Sequence, residues 1–326
     1  MKVATIPRPG GPEVFKFIDL PKPVPGPEQL LVRVGAAGLN RADSLQRQGH
    51  YPMPPGVANV PGLELAGEVA AVGGKTKGFR QGDKIIGLVA EGAYAEYALV
   101  DYGLAVHMPK GWSFADGAAV IEVFCTAHET VFVLGELKTG QAMFLHAAAS
   151  GVGTAALQMA KHAGAAVYGT AGSSFKLDRL RKLGIDFAMN YKTGDFAEDV
   201  MRVTDAGGVD MVEDFSGAPS LGRNLAILKE TGRLVIVGAL GGSIAELDSS
   251  PIIRKRLKIL GFTLRAQTLA DKRAIVGRFR DQWLPLLAKG AIKPIVHAAL
   301  PFAQVAKSHA MMDADENFGK IVLTFG

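Results

Sequence analysis

The stretch from Gln141 to Gly164, QAMFLHAAASGVGTAALQMAKHAG, narrows most sharply what this chain can fold into. An apolar run over 142–147 gives way to small residues (Ala148, Ala149, Ser150, Gly151, Val152, Gly153). An apolar-periodic segment over 154–163 then stops at Gly164. The pattern is strand, tight turn, helix, the opening of a parallel βαβ unit. Nearly absent side chains let backbone N–H groups approach a pyrophosphate, which the helix dipole also favours. Against G-x-G-x-x-G the turn reads Ala148-x-Ser150-x-x-Gly153 with Gly151 added, so only the last glycine stands in register. Such a turn suits a dinucleotide, but it also suits a plain steric need for glycine.

The surrounding pattern favours the dinucleotide. From about residue 115 apolar strands alternate with helical segments, expected as strand 143–147, helix 154–163, strand 166–171, helix 174–183 and strand 187–190. Helix 195–203, strand 209–214, helix 219–229, strand 233–237 and strand 258–264 follow. This predicts an α/β fold, a doubly wound parallel sheet of Rossmann type, and such sheets bind ligands at the carboxyl ends of their strands. Residues 1–120 read differently. Short alternating segments at 30–40, 65–74, 82–89 and 92–100 are broken by Gly and Pro, the texture of a compact, mainly β domain. PKPVPGPEQ at 21–29 holds proline too densely for a helix or a central strand. A helix near 271–288 leads to β-like segments ending in GKIVLTFG, so the tail is expected to rejoin the first domain. The expected organisation is 1–120 with 267–326 as the β domain and 121–266 as the Rossmann domain.

Composition excludes several classes. The formal charge is +5, but Lys and Arg are scattered and no basic patch carries interleaved aromatics, so a nucleic-acid partner is not expected. The single cysteine, Cys125, rules out an internal disulfide framework and a cysteine-based zinc cluster. Neither a signal peptide nor a transit segment is legible at the N-terminus, and no apolar stretch reaches membrane-spanning length uninterrupted. The expected location is the cytoplasm, with no membrane partner.

The cofactor's ribose can be read from the end of the second Rossmann strand. An NAD-binding half places Asp or Glu there to hold the 2′-hydroxyl. Here the position falls at Thr170–Ala171–Gly172–Ser173, with no carboxylate and with Lys176 and Arg179 just beyond. A neutral turn backed by cations suits a 2′-phosphate, so NADPH is expected rather than NADH. Ser150, Gly151, Val152 and Gly153 are then candidates for the pyrophosphate, and Gly172, Ser173 and Lys176 for the 2′-phosphate. Tyr191 is a candidate for the adenine ribose side. Ser216-Gly217 and Val237-Gly238 close later strands, where backbone can meet a cofactor without side-chain obstruction. Asp214 also closes a strand, and its ordinary reading is a turn or helix cap.

Several motifs resemble the zinc-independent quinone oxidoreductases of the medium-chain dehydrogenase/reductase superfamily, in particular the p53-inducible quinone oxidoreductase subgroup. They are GGPEV at 10–14, LNRADSLQRQGHYPMPPG at 39–56, PGLELAGEV at 61–69, HAAASGVGTAALQMAK at 146–161 and GTAGSSFKL at 169–177. MNYKTGDF at 189–196, KRLKILGFTLRAQ at 255–267 and NFGKIVL at 317–323 complete the set. The resemblance implies a GroES-like β domain, a Rossmann domain, NADPH as hydride donor, a quinone as acceptor and a homodimer. It places the LNRAD turn over the nicotinamide, with Asn40, Asp43 and Tyr51 as catalytic candidates. The Asn40 amide and Tyr51 phenol would hydrogen-bond a quinone oxygen, with Tyr51 as proton donor. Asn40, Thr126, Phe262, Asn317 and Lys320 become cofactor-side candidates, and Glu122 a lining residue. The chain departs from the pattern at Ile121-Glu122-Val123 and Gly261-Phe262-Thr263, which bears on acceptor range.

No metal is expected. Zinc-dependent relatives place three ligands at positions that fall here on Asn40, Leu63 and roughly Glu122, and leucine cannot ligate. Without zinc, alcohol oxidation loses the group that polarises a carbonyl. A quinone, which gains aromaticity on reduction, does not need that help. The expected activity is NADPH:quinone reduction. NADPH-dependent reduction of an activated alkene and a non-catalytic NADPH-binding role stand as alternatives.

Overall fold

The structure, a computed structural model, describes residues 1–50 and 59–326. It divides into two units, Met1–Val123 with Gln267–Gly326, and Phe124–Ala266.

The second unit is built on six parallel strands. Across the sheet they run Phe187–Asn190, Ala166–Ala171, Ala142–Leu145, Val209–Asp214, Leu228–Ile236 and Lys258–Gly261. Chain order reverses between the third and fourth of these, the switch point of a doubly wound sheet. The central strand Ala142–Leu145 is buried on both faces and reads in sequence as an apolar run without alternation, whereas the edge strand Lys258–Gly261 is largely exposed. Phe144, Val212 and Leu234 of the sheet pack with Phe196, Val200 and Leu225 of the covering helices, each contributing roughly 1.5–3 kcal/mol by leaving water. The helix expected at 154–163 starts earlier, at Gly151, and runs to His162. Ser150 caps it, its Oγ accepting from the Gly153 N–H at 3.0 Å, and that cap outweighs the poor helix propensity of two glycines. The strand expected at 233–237 begins at Leu228, directly after the helix Leu221–Ile227. Lys255 explains the early end of that helix: its Nζ donates to the carbonyls of Leu225, Ala226 and Leu228 at 2.7–3.2 Å.

The first unit holds a sheet running Val296–Pro301, Lys320–Thr324, Gln29–Gly38, Glu64–Val72, Lys84–Leu88 and Ala105–His107, with Tyr97–Asp101 also paired to Gln29–Gly38. The tail strand thus rejoins this unit, with Val322 opposite Gly38 in antiparallel register. Gly319 makes that entry possible. Its φ is +80°, and a Cβ there would stand 2.3 Å from the Ile295 carbonyl oxygen, so only glycine fits. The turn carries the next side chain, Lys320, into the interior, where it is 3 % exposed. Residues 21–26 form no regular element, as their prolines require. The helix expected near 271–288 comprises Leu269–Arg278 and Leu284–Ala288, joined by a wide π turn at Phe279–Trp283. The helical run Phe114–Leu134 is long and apolar enough to cross a membrane, but it is 78 % buried within the fold.

A second π turn, His128–Leu134, is tied to the second unit's sheet by one acid. The Thr130 Oγ1 lies 2.9 Å from the Thr126 carbonyl and 2.5 Å from Glu213 Oε1. A hydroxyl has one proton and a carbonyl can only accept, so Thr130 donates to Thr126 and a protonated Glu213 donates to Thr130. Burial raises the Glu213 carboxyl to about 8, and its Oε2 has no partner. Folded protein therefore keeps a proton that the unfolded chain releases near 4.5, and stability falls as pH rises between these values. Glu213→Gln keeps the donor and removes the titration. The melting temperature of the variant should exceed that of the parent by a margin that widens from mildly acidic pH to about 8, at roughly 2–4 °C per kcal/mol. A pH-independent difference in calorimetric melts would contradict the assignment.

Candidate active site

In the first unit an ammonium group sits at the centre of the residues singled out by sequence. Lys320 Nζ donates to the Leu39 carbonyl at 2.5 Å, Asn40 Oδ1 at 2.6 Å and Glu64 Oε1 at 2.7 Å. Its three protons are all used. Glu64 is fully buried. It also accepts from Asn40 Nδ2 at 3.1 Å and, through Oε2, from the Glu122 backbone N–H at 3.0 Å. The strand Glu64–Val72 delivers this carboxylate, the turn at Asn40 delivers the amide, and the tail strand delivers the ammonium.

In this arrangement Asn40 Nδ2 donates to Glu64 Oε1 at 3.1 Å and lies 3.5 Å from the Gly38 carbonyl, so the amide helps to hold the buried pair. Asp43 is fully buried and likewise engaged: it accepts from the Asn40 N–H at 2.8 Å, the Gly62 N–H at 3.1 Å and the Tyr94 hydroxyl at 3.3 Å. Burial raises its carboxyl to about 6, against the lowering effect of those hydrogen bonds and of Lys320. The same burial, with Asp43 alongside, raises the Tyr94 phenol well above its ordinary value. Asp43 therefore organises the turn and is not placed as a reacting group. Asn317 is buried and donates to the Gly319 carbonyl at 2.7 Å, holding the tail turn. Tyr51 lies outside the described residues.

Sequence reasoning missed Glu64. It assigned the relevant position to the neighbouring Leu63, yet Glu64, flanked by Leu63 and Leu65 in PGLELAGEV, was the available signal.

In the second unit the cofactor-side candidates other than Thr126 gather at one edge of the sheet, because every strand is parallel and each of these follows the carboxyl end of a strand, the strands being counted here along the chain from Ala142–Leu145. Ser150, Gly151, Val152 and Gly153 follow the first strand. A Cβ on Gly153 would stand 2.5 Å from the Ala147 carbonyl, so the helix can start this close to the strand only with glycine there. Gly172 and Ser173 follow the second strand. Ser173 caps the helix Ser174–Leu183 by accepting from the Lys176 N–H at 3.4 Å. Tyr191, half exposed, follows the third strand and lies against Gly172, where a Cβ would meet its hydroxyl at 2.8 Å.

Ser216 and Gly217 follow the fourth strand in a turn held by Asp214, whose carboxylate accepts both N–H groups at 2.7–3.3 Å. Asn224 Nδ2 donates to the same carboxylate at 3.0 Å, and His146 Nε2 lies 2.8 Å from Asn224 Oδ1. Burial lowers the His146 pKa, so a neutral imidazole carries the chain of hydrogen bonds inward. Val237 and Gly238 donate to the Asp214 carbonyl at 2.8 and 3.3 Å, and Phe262 follows the edge strand. Thr126 is buried on the helix Ile121–Ala127.

A dinucleotide fits this edge. A glycine-bearing helix N-terminus follows the first strand, and small residues line the turns after the second, fourth and fifth. No acid stands at the end of the second strand, and Lys176 and Arg179 lie on the first turns of the next helix. These donors would hold a phosphate more readily than a ribose hydroxyl.

Comparison with known proteins accords with the two units. Residues 26–110 match the alcohol dehydrogenase GroES-like domain, and residues 151–276 match the zinc-binding dehydrogenase family. The chain is 30 % identical to the quinone oxidoreductase of Mus musculus over 96 % of its length and 95 % of that protein's. Among solved structures, a quinone oxidoreductase of Escherichia coli complexed with NADPH has a TM-score of 0.92 at 27 % identity, covering 99 % of this chain and 100 % of that one. An NAD-dependent alcohol dehydrogenase has a TM-score of 0.90 at 32 % identity, with 100 % of both chains covered. The CurK enoyl reductase has a TM-score of 0.88 at 26 % identity, covering 100 % and 99 %. The chain belongs to the quinone oxidoreductase family of the medium-chain dehydrogenases/reductases, oxidoreductases that join a GroES-like domain to a Rossmann-type NAD(P)-binding domain.

Proposed function

We propose that the protein is an NADPH-dependent quinone reductase that acts without zinc, as a cytosolic homodimer. The observation that carries the reading is the buried ammonium of Lys320, satisfied by Leu39, Asn40 and Glu64. At the place where zinc-dependent relatives gather metal ligands, the Glu64 carboxylate is already neutralised by the chain itself. Such a site has no group to polarise an alcohol oxygen, which favours an acceptor that is electrophilic on its own. A quinone meets that requirement.

Bound NADPH would supply a hydride. The residues that would hold it are the Ser150–Gly153 turn at its pyrophosphate, and Ser173 and Lys176, with Arg179, at its 2′-phosphate. Asp214, supported by Asn224 and His146, fixes the Ser216–Gly217 turn. The enoyl reductase neighbour favours a second reading, reduction of an activated alkene. The exposed Ile259 on the edge strand Lys258–Gly261 supports self-pairing of the chain.

Kinetics with a panel of quinones and enones should show NADPH oxidation fastest with quinones, and it should survive exhaustive chelation. Loss of turnover that zinc restores would overturn the metal-free reading. Lys176→Ala should lower the preference for NADPH over NADH by about tenfold, the loss of one charge-assisted hydrogen bond. An unchanged ratio of the two kcat/KM values counts against the 2′-phosphate assignment. Lys320→Met strands a buried carboxylate, so it should cost about 3–5 kcal/mol in stability. The double variant Lys320→Met/Glu64→Gln should regain much of that in thermal denaturation. Ile259→Lys should shift the protein from dimer to monomer in sedimentation experiments.

A further inference from the structure

Asp43, Glu64, Glu122 and Lys320 share one buried neighbourhood, with Lys272 as a further cation felt by Glu122. Three acids thus compete for one directly bonded ammonium. Glu64 takes it, at 2.7 Å. Asp43 is satisfied by two backbone N–H groups and the Tyr94 hydroxyl. Glu122 contributes only its backbone N–H, to Glu64. Its carboxyl makes no hydrogen bond or ion pair among the described residues.

Glu122 stands on the first turn of the helix Ile121–Ala127 and keeps partial contact with solvent. Ionising it would place a second negative charge beside the Glu64 carboxylate, to which its own backbone is bonded. The group is therefore an acid held neutral by its surroundings yet open to reloading from water. Two neighbouring carboxyls with separated fates are the usual arrangement for acid–base work.

We propose that Glu122 is the proton donor of the reductase reaction, delivering its carboxyl proton to the acceptor oxygen that becomes anionic as hydride arrives. The inference rests on the reductase reading above. Hydride from the reduced nicotinamide carries two electrons and one proton to the quinone, giving oxidised nicotinamide and a hydroquinone monoanion. The Glu122 O–H bond breaks, its proton joins the anionic oxygen, and the glutamate left behind takes a proton from water. Repulsion from Glu64 drives that recovery.

Burial first, then Glu64 and more weakly Asp43, raises the Glu122 carboxyl to about 8, while Lys320 and Lys272 act in the opposite direction. The acid form therefore prevails at neutral pH, and catalysis that needs it is lost as pH rises through about 8.

The test compares the parent protein with Glu122→Gln and Glu122→Asp. With a quinone acceptor, Glu122→Gln should lower kcat by roughly 10²-fold, leave the NADPH dissociation constant unchanged and abolish the alkaline fall in kcat. Glu122→Asp should restore part of the rate together with a titrating limb. Independently of turnover, infrared difference spectra of parent against Glu122→Gln should contain a protonated-carboxyl stretch that is present below about pH 8 and lost above it. Glu122→Gln with parental kcat and an intact alkaline limb overturns the donor role alone, as does a spectrum without that stretch. A parent protein that oxidises NADPH with no quinone or enone overturns the reductase reading and the donor role together.

Discussion

The buried ion pair of Lys320 with Glu64 decides what the first unit can do. Taking an ammonium and a carboxylate out of water is costly, and attraction between them offsets the cost only where every remaining proton and lone pair is met. Here the Leu39 carbonyl, the Asn40 amide and the Glu122 N–H complete the set. Four separate segments, the Asn40 turn, the strand at Glu64, the helix start at Glu122 and the tail strand, must therefore arrive together. The pair is weak evidence for stability as such, but it fixes register. The Gly319 turn explains how the tail meets that demand, since it turns Lys320 inward where any side chain at 319 would strike the Ile295 carbonyl.

The second unit depends on a quieter device of the same kind. Its candidate cofactor edge consists mostly of backbone, which has no side chain to anchor it. The Asp214 carboxylate supplies the anchor, gathering the Ser216 and Gly217 N–H groups, and Asn224 and His146 pass the constraint into the core beside Phe144 and Phe196. A neutral imidazole suits this task because burial disfavours its charged form and its Nε2–H needs a single acceptor. The turn can then stay small without being loose.

Much of this was legible in the sequence, and the pattern of what was legible has a physical basis. The strands Ala166–Ala171, Phe187–Asn190 and Val209–Asp214 were read residue for residue, because short β-prone segments set between helical patterns and turn residues are legible on their own. Helix ends were read less well. Ser150 caps two residues that propensity alone would have kept out of a helix, and Lys255, 28 positions past Ile227, ends another. The site was half visible. Asn40, Asp43 and Lys320 were singled out, and in the fold Asn40 bonds Lys320 and Glu64 while Asp43 holds the Asn40 turn, a role its residue type also allowed. Nothing in one-dimensional spacing tells that the tail ammonium meets the amide. Glu64 went unnoticed because its neighbour Leu63 absorbed the position.

A cation built into the chain differs chemically from a bound metal in one way that matters for the reaction. Zinc keeps an open coordination position for a substrate oxygen. An ammonium with three filled hydrogen bonds keeps none, so it cannot bind the oxygen on which negative charge develops. It can only set the electrostatics around it. Lys320 bonds Glu64 and not Glu122, so burial and the neighbouring Glu64 keep Glu122 reluctant to ionise although Lys320 acts the other way. The charge stabilisation that a metal would give by coordination is then available in another form, as a proton held nearby. A site of this design favours acceptors whose reduction ends in protonation of an oxygen and needs no prior activation, the chemistry of a quinone.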